Sequence, residues 1–286
     1  MPALLATTTR ATALKNIDRL PSLSPAVNRL LGMLAKRDID MAQLARGISA
    51  DPSLSGHILA AANSAFFNRG AQVTSIDQAV ARLGLTKLRR IALSKSVSRI
   101  FRGMRAPEGW SMTRFQLHSV ATGAAAEILC EYLPVEDGEN AFLGGLMHDV
   151  GKVLIACGQP SQFTEVESVV AITNRPQAEF EREILGTDHA ELSGLAVSKW
   201  ELPFQLARAV ASHHSPEPAL NLGEVSLSKI LQVANHFTNS LGISVRETRA
   251  DQPPPELPSI PGHEYPQGLF AARFEEEWKV LSAVCF

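Results

Sequence analysis

One stretch limits what this chain can become. It is Phe142-Leu-Gly-Gly-Leu-Met-His148-Asp149-Val-Gly151-Lys152-Val-Leu-Ile155, a histidine–aspartate pair set between two apolar runs. The aliphatic flanks predict a helix over about residues 139–156, sunk in a core. An imidazole and a carboxylate taken out of water are costly unless they are hydrogen-bonded or bound to a metal. The fold must therefore bring partners to them, and His118, His189, His213, His214 and His236 are the histidines at hand.

The rest of the composition allows such a core. Apolar residues make up 45% of the 286 and charged residues 20%, enough for one large domain or two modest ones. Aromatics are sparse at 6%, which favours packed helices over a β-sandwich. The sequence shows no apolar run of the ~18–20 residues that a membrane span needs. Residues 1–16 have no apolar core of secretory type and read as a loose tail. Cys130, Cys157 and Cys285 are odd in number and widely spaced, which fits a reducing, cytoplasmic setting.

Helix signals follow one another closely. Ser24 before Pro25 is a cap-then-proline start, with Val27, Leu30, Leu31 and Leu34 recurring at helical spacing. Asp40 and the pair Asp51-Pro52 open two more helices. Ser75 with Gln78 has capping-box spacing, and Gly84 divides that helix from one begun by Thr86. Gly103 to Trp110 is a boundary. Beyond it a longer helix runs through His118 to before Pro134, followed by the His-Asp helix and helices over about 161–173, 177–185, 188–199, 203–214 and 224–241. Residues 251–266 are too rich in proline for regular structure. Leu269 to Val284 is amphipathic, a helix that docks back on the body or serves as a dimer arm. The expected fold is all-α.

Charge is segregated. Arg82, Lys87, Arg89, Arg90, Lys95, Arg99, Arg102 and Arg105 fall in a window without an acidic residue, so the remainder of the chain is net acidic. Such a window marks a polyanion-binding or partner surface, or else a solvated helix face balanced by acidic neighbours in space.

The histidines carry the chemistry. His118 shares a helix face with Phe115, Ala121 and Thr122. His213 and His214 stand three and four residues after the inward Val210, and His189 opens a helix after Thr187-Asp188. With His148 and Asp149 these form the inventory of a one- or two-metal oxygen/nitrogen site, of the kind that activates water and clamps a phosphate. If the site is active, Asp149 bridges metals or holds the attacking water, and Lys152 neutralises a phosphate oxygen. His57, His236 and His263 read as ordinary surface or core side chains.

The order His118, His148-Asp149, His189, His213-His214 resembles the HD superfamily of metal-dependent phosphohydrolases. The Gly151-Lys152 that follows the pair resembles its HD-GYP branch of cyclic-di-GMP phosphodiesterases. The likeness is closer to the HDOD family of bacterial HD-related output domains. It rests on Leu20-Pro21-Ser-Leu-Ser-Pro25, Asp51-Pro52-Ser-Leu54, Ala62-Asn63-Ser64-Ala65-Phe66-Phe67, Val73-Thr74-Ser75-Ile76, Gly186-Thr-Asp188-His189-Ala190-Glu191 and Trp200-Glu-Leu-Pro203. It spans about residues 17–242. It implies a two-lobed multi-helix bundle: an amino-terminal lobe over 17–106, an HD-like lobe over 107–245, and a proline-rich linker and last helix over 246–286.

Two departures bear on activity. Where HD hydrolases place a late aspartate this chain has Asn235, a neutral and weaker ligand, and the Gly-Tyr-Pro signature is absent. The resemblance thus implies a bacterial signalling module that works through protein partners and keeps a degenerate metal site. Iron, manganese or another divalent ion would be the cofactor. An active phosphohydrolase on a cyclic dinucleotide or nucleotide is the alternative, and a nucleic-acid-binding regulator using the basic residues at 82–105 is a third.

Overall fold

The structure, a computed structural model, describes residues 2–18, 20–21, 23, 25–35, 40–67, 70–173, 175–246 and 259–285. Among them there is no strand, only two isolated bridges, Val135 with Val225 and Ile260 with His263. After α1 (Pro2–Asp18), which packs on the second lobe, the first lobe holds α2 (Pro25–Ala35), α3 (Met41–Ser49), α4 (Pro52–Ala62), α5 (Ile76–Leu83) and α6 (Leu85–Ile100). The second holds α7 (Met112–Tyr132), α8 (Ala141–Met147), α9 (Val150–Gly158), α10 (Pro160–Ile172), α11 (Gln177–Leu185), α12 (His189–Lys199), α13 (Phe204–Ala211) and α14 (Leu227–Ser240). A last helix, α15 (Gln267–Cys285), lies across α6 and α7 with Phe270, Phe274 and Leu281 buried.

Local chemistry sets the starts of the short helices. Asp40, Asp51 and Ser75 each accept a hydrogen bond from a backbone N–H three residues on, satisfying a donor the helix leaves open. The Gln78 side chain reaches back to the Thr74 N–H, one residue beyond the capping-box position. Ser24 lies outside the described residues, as do 247–258 of the proline-rich segment.

Three expectations change. Where a loose tail was expected, Pro2–Asp18 form α1, which packs on α9, α11 and α12, with Ala13 and Asn16 buried. The His-Asp helix is broken, because α8 ends at Met147 and α9 begins at Val150, leaving the pair in the turn. Taken together, Gly138–Gly158 does have the length and apolarity of a membrane span, yet 83% of its most apolar window is buried inside the fold. It is a core element.

The lobes share one apolar core. At the expected boundary Phe101 packs on Phe115 and Trp200, with centroids 5.5 and 6.4 Å apart, and Trp110 packs on Phe115 and Phe163. Trp200 also donates its indole N–H to the Pro21 carbonyl at 3.0 Å, tying two of the motif segments together. In the second lobe α7 and α8 meet without side chains between them: a Cβ on Gly145 would stand 2.3 Å from Gly123 Cα. That close approach brings the His118 and His148 rings together, their centroids 5.2 Å apart.

Candidate metal centre

Four segments deliver the ligand set: α7, the α8–α9 turn, the start of α12 and the end of α13. His118, His148, Asp149 and His213 have no accessible surface, and His189 has 1%. Asp149 is the hub. Its Oδ2 lies 3.4 Å from both His118 Nε2 and His148 Nε2, and 2.7 Å from Lys152 Nζ. Its Oδ1 lies 3.3 Å from His189 Nε2 and 3.9 Å from His213 Nε2. His214, partly exposed, places Nε2 2.7 Å from His189 Nε2.

The rings are aimed by what holds their other nitrogens. His118 Nδ1 donates to the Ile243 carbonyl at 2.7 Å, His148 Nδ1 to Gly145 at 2.8 Å, and His213 Nδ1 to Val210 at 2.7 Å. A carbonyl only accepts, so each Nδ1 carries the proton and each neutral ring turns an Nε2 lone pair inward. For His189 a carboxylate does this: Glu181 Oε2 accepts from Nδ1 at 2.5 Å and from the His189 backbone N–H at 2.8 Å. Glu181 is fully buried, its other oxygen held by Gln177 Nε2 at 2.7 Å. Such hydrogen bonds from the far ring nitrogen to carbonyl or carboxylate are the usual supports of metal-bound histidine.

The resulting cavity suits a cation. His118 Nε2 and His148 Nε2 lie 3.3 Å apart, two lone pairs pointed at one another. Asp149 Oδ1 and His213 Nε2 are buried without a hydrogen-bond partner. Orphaned acceptors of this kind are costly unless something positive lies between them. The donors form two groups, His118–His148–Asp149 and His189–His213–His214, each with ligand atoms within 4.8 Å of one another. Donors around one ion at ~2.0–2.2 Å are spaced on this scale. These residues therefore fit a divalent metal.

Electrostatics keep them in the metal-binding forms. Burial holds the His148 imidazole well below its ordinary value against the pull of Asp149. Burial lowers His213 to about 4, helped by His189, and moves His214 down as well. Asp149 goes the other way from its burial: desolvation would raise it, but its polar surroundings, with the Lys152 ammonium 2.7 Å away, hold the carboxyl well below its ordinary range. Unfolding frees the rings to take protons near 6.5, so the unfolded chain binds more of them between about pH 6.5 and 4. Stability therefore falls as the pH falls through this window, by up to about 1.4 kcal/mol per pH unit for each ring that burial depresses. Asp149 adds its own loss only beneath the ordinary carboxylate range. Urea midpoints of metal-stripped protein should drop steeply from pH 7 to pH 4.5, and His213→Gln should flatten the slope.

Asn235, the expected weak ligand, is buried on α14, and its amide oxygen accepts from Asn239 Nδ2 at 2.6 Å. His236 is exposed. Glu181 is the site residue that sequence reasoning missed. The cue was a carboxylate on the same helix face as the inward Ala178 and Leu185.

The basic window does not form one surface. Arg89 and Arg90 are 3% and 0% exposed, both paired with the buried Glu127 of α7, and Arg90 Nη1 lies 2.8 Å from Glu277 of α15. The reason is that α6 is covered by α2, α4, α5, α8 and α15, so its charges meet carboxylates instead of water. Lys87 lies 3.8 Å from Glu277, Lys95 donates to the Cys285 carbonyl, Arg99 pairs with Asp51, and Arg82 donates to the Ala62 and Ala71 carbonyls. Arg102 and Arg105 are exposed.

Comparison with known proteins fits this architecture. The crystal structure of an HDOD domain protein of unknown function from Geobacter sulfurreducens superposes with a TM-score of 0.76 at 21% identity, covering 98% of this chain and 99% of that one. A protein proposed to be a phosphohydrolase, from Shewanella amazonensis SB2B, gives 0.69 at 22% identity over 97% and 99%. A protein proposed to act in signal transduction, from Marinobacter aquaeolei VT8, gives 0.73 at 18% identity, covering 98% of this chain and 65% of that one. In sequence, an uncharacterized protein of Treponema pallidum (strain Nichols) is 22% identical over 201 residues, and the match takes in 70% of this chain but 38% of that protein. Residues 20–216 match the HDOD domain itself. The chain belongs to the HDOD family.

Proposed function

We propose that this chain is a bacterial signalling module whose His/Asp centre holds a divalent metal as a structural, state-setting ion and does not turn over phosphoesters. The observation that carries this is closure. The side chains of His118, His148, Asp149 and His213 are wholly buried, whereas a catalytic metal site keeps a position open to water or substrate. The likeness to a protein proposed to act in signal transduction supports the same reading. Output would run through a protein partner. Phe204, Leu220 and Leu222 are 72%, 75% and 106% exposed; Phe204 precedes Gln205, which lines a cleft with Glu136, and the Glu136 carboxylate accepts from the Leu220 N–H. Exposed apolar groups set in a polar rim are the usual mark of such a surface.

A second reading, a phosphohydrolase on a cyclic dinucleotide or nucleotide, is favoured by one observation. Lys152 and His214 keep some exposure at the edge of the centre, where a phosphate oxygen would meet the ammonium. A bound metal would supply Lewis acidity and an activated water there. The experiment is elemental analysis of purified protein together with phosphoesterase assays under added manganese, iron or zinc. We expect metal in the wild type, its loss in Asp149→Ala, and no turnover in either. Hydrolysis that vanishes with Asp149→Ala and with chelator would overturn the proposal in favour of the second reading.

A further inference from the structure

The two halves of the centre are not equivalent. On one side of Asp149, Oδ2 already has a cation, since Lys152 Nζ sits 2.7 Å away beside His118 and His148. On the other side Oδ1 has no hydrogen-bond partner, and neither has His213 Nε2, 3.9 Å from it. His189 and His214 complete that half, and His189 is backed by the buried Glu181 carboxylate. Lone pairs are open at both ends, but a fixed ammonium sits on the Oδ2 face alone, and the Oδ1 face has no cation of its own. A dication at the His118–His148 end would meet Lys152 across a single carboxylate oxygen, in a buried place where like charges are poorly screened.

We infer that the centre takes one divalent ion, held by His189, His213, His214 and the Oδ1 face of Asp149, with the Lys152 ammonium as the resident cation on the Oδ2 face. This rests on the metal reading above and adds to it which half binds, how many ions, and why. Three imidazoles and one carboxylate oxygen form the donor set of a four-coordinate site that accepts zinc or cobalt(II). Glu181 acts as a positioning residue. It fixes the His189 tautomer so that Nε2 is the free donor.

The test uses the full chain, stripped with chelator and titrated with zinc, and with cobalt(II) for its d–d spectrum. Bound metal is counted after desalting, and affinity is read by competition with a chromophoric chelator. The expected result is an endpoint of one equivalent, with the intense visible bands of tetrahedral cobalt. His214→Gln should weaken binding by more than about 100-fold, beyond the ~10–100-fold that a lost supporting hydrogen bond costs, and Glu181→Gln should fall within that range. His118→Gln should bind within about threefold of wild type, by the same competition scale. Lys152→Met should admit a second, weaker ion. Two equivalents in the wild type, or binding lost with His118→Gln and kept with His214→Gln, would overturn the inference while leaving a metal centre in place. A Lys152→Met protein that still stops at one ion would overturn the part assigned to the ammonium. No binding of any ion by the wild type would instead sink the metal reading itself. Circular dichroism establishes that each variant is folded, and the wild-type cobalt endpoint needs no variant.

Discussion

Gly151→Ala should destabilise the protein by about 3 kcal/mol, the upper end of typical overpacking penalties, and should weaken metal binding with it. A Cβ at this position would lie 2.0 Å from the His189 carbonyl oxygen and 2.7 Å from His189 Cα. Backbone cannot swing aside as a side chain does, so α9 and α12 must move apart. The contact they would lose is specific: the Gly151 N–H donates to Ser193 Oγ at 2.7 Å, and that hydroxyl donates to the His189 carbonyl at 2.7 Å. His189 would be carried away from Asp149 together with its helix. Chemical denaturation and zinc competition on the same variant check both halves. A loss of stability below about 1 kcal/mol would mean that the two helices are less tightly joined than this contact requires.

Glu127→Ala should cost about 3–5 kcal/mol, through charge and not through volume. Its carboxylate answers two guanidinium groups, Arg89 and Arg90, that are 3% and 0% exposed. Removing it leaves both buried with too little negative charge nearby. Burial already pulls the Arg90 guanidinium below its ordinary value, against the raising effect of Glu277. The paired change Arg90→Met with Glu277→Leu should be far milder, because it removes the desolvation cost along with the attraction and leaves Arg89 with Glu127. Urea unfolding of the single and double variants separates these cases. Equal losses in both would show that shape, and not charge, binds α15 to α6.

The helices were legible because their signals are local. Asp40, Asp51 and Ser75 cap helices by bonds three residues long, which a sequence displays directly. The histidines and Asp149 were legible as an inventory, since polar groups in apolar runs demand partners. What stayed hidden depends on tertiary neighbours. The arginines of α6 read as a surface because their counter-ions are far off in sequence: Glu127 stands 37 residues from Arg90, and Glu277 belongs to the last helix. Glu181 stands eight residues before His189 across a turn, a spacing with no helical meaning. The amino-terminal helix escaped notice for another reason. Its threonines and alanines have no marked apolar stripe, and its burial comes from the surface it lands on.

The geography of the family match has a practical edge. Residues 20–216 contain every proposed ligand, yet the carbonyl that orients His118 belongs to Ile243, and the carboxylate beside Arg90 to Glu277. Arg10, whose guanidinium holds Glu191 two residues beyond His189, lies before the match begins. A recombinant fragment trimmed to the recognisable segment would thus own all the donors and lack part of the fold that packs around them, α14 and α15 included. Poor metal uptake by such a piece would describe the trimming, and not the protein.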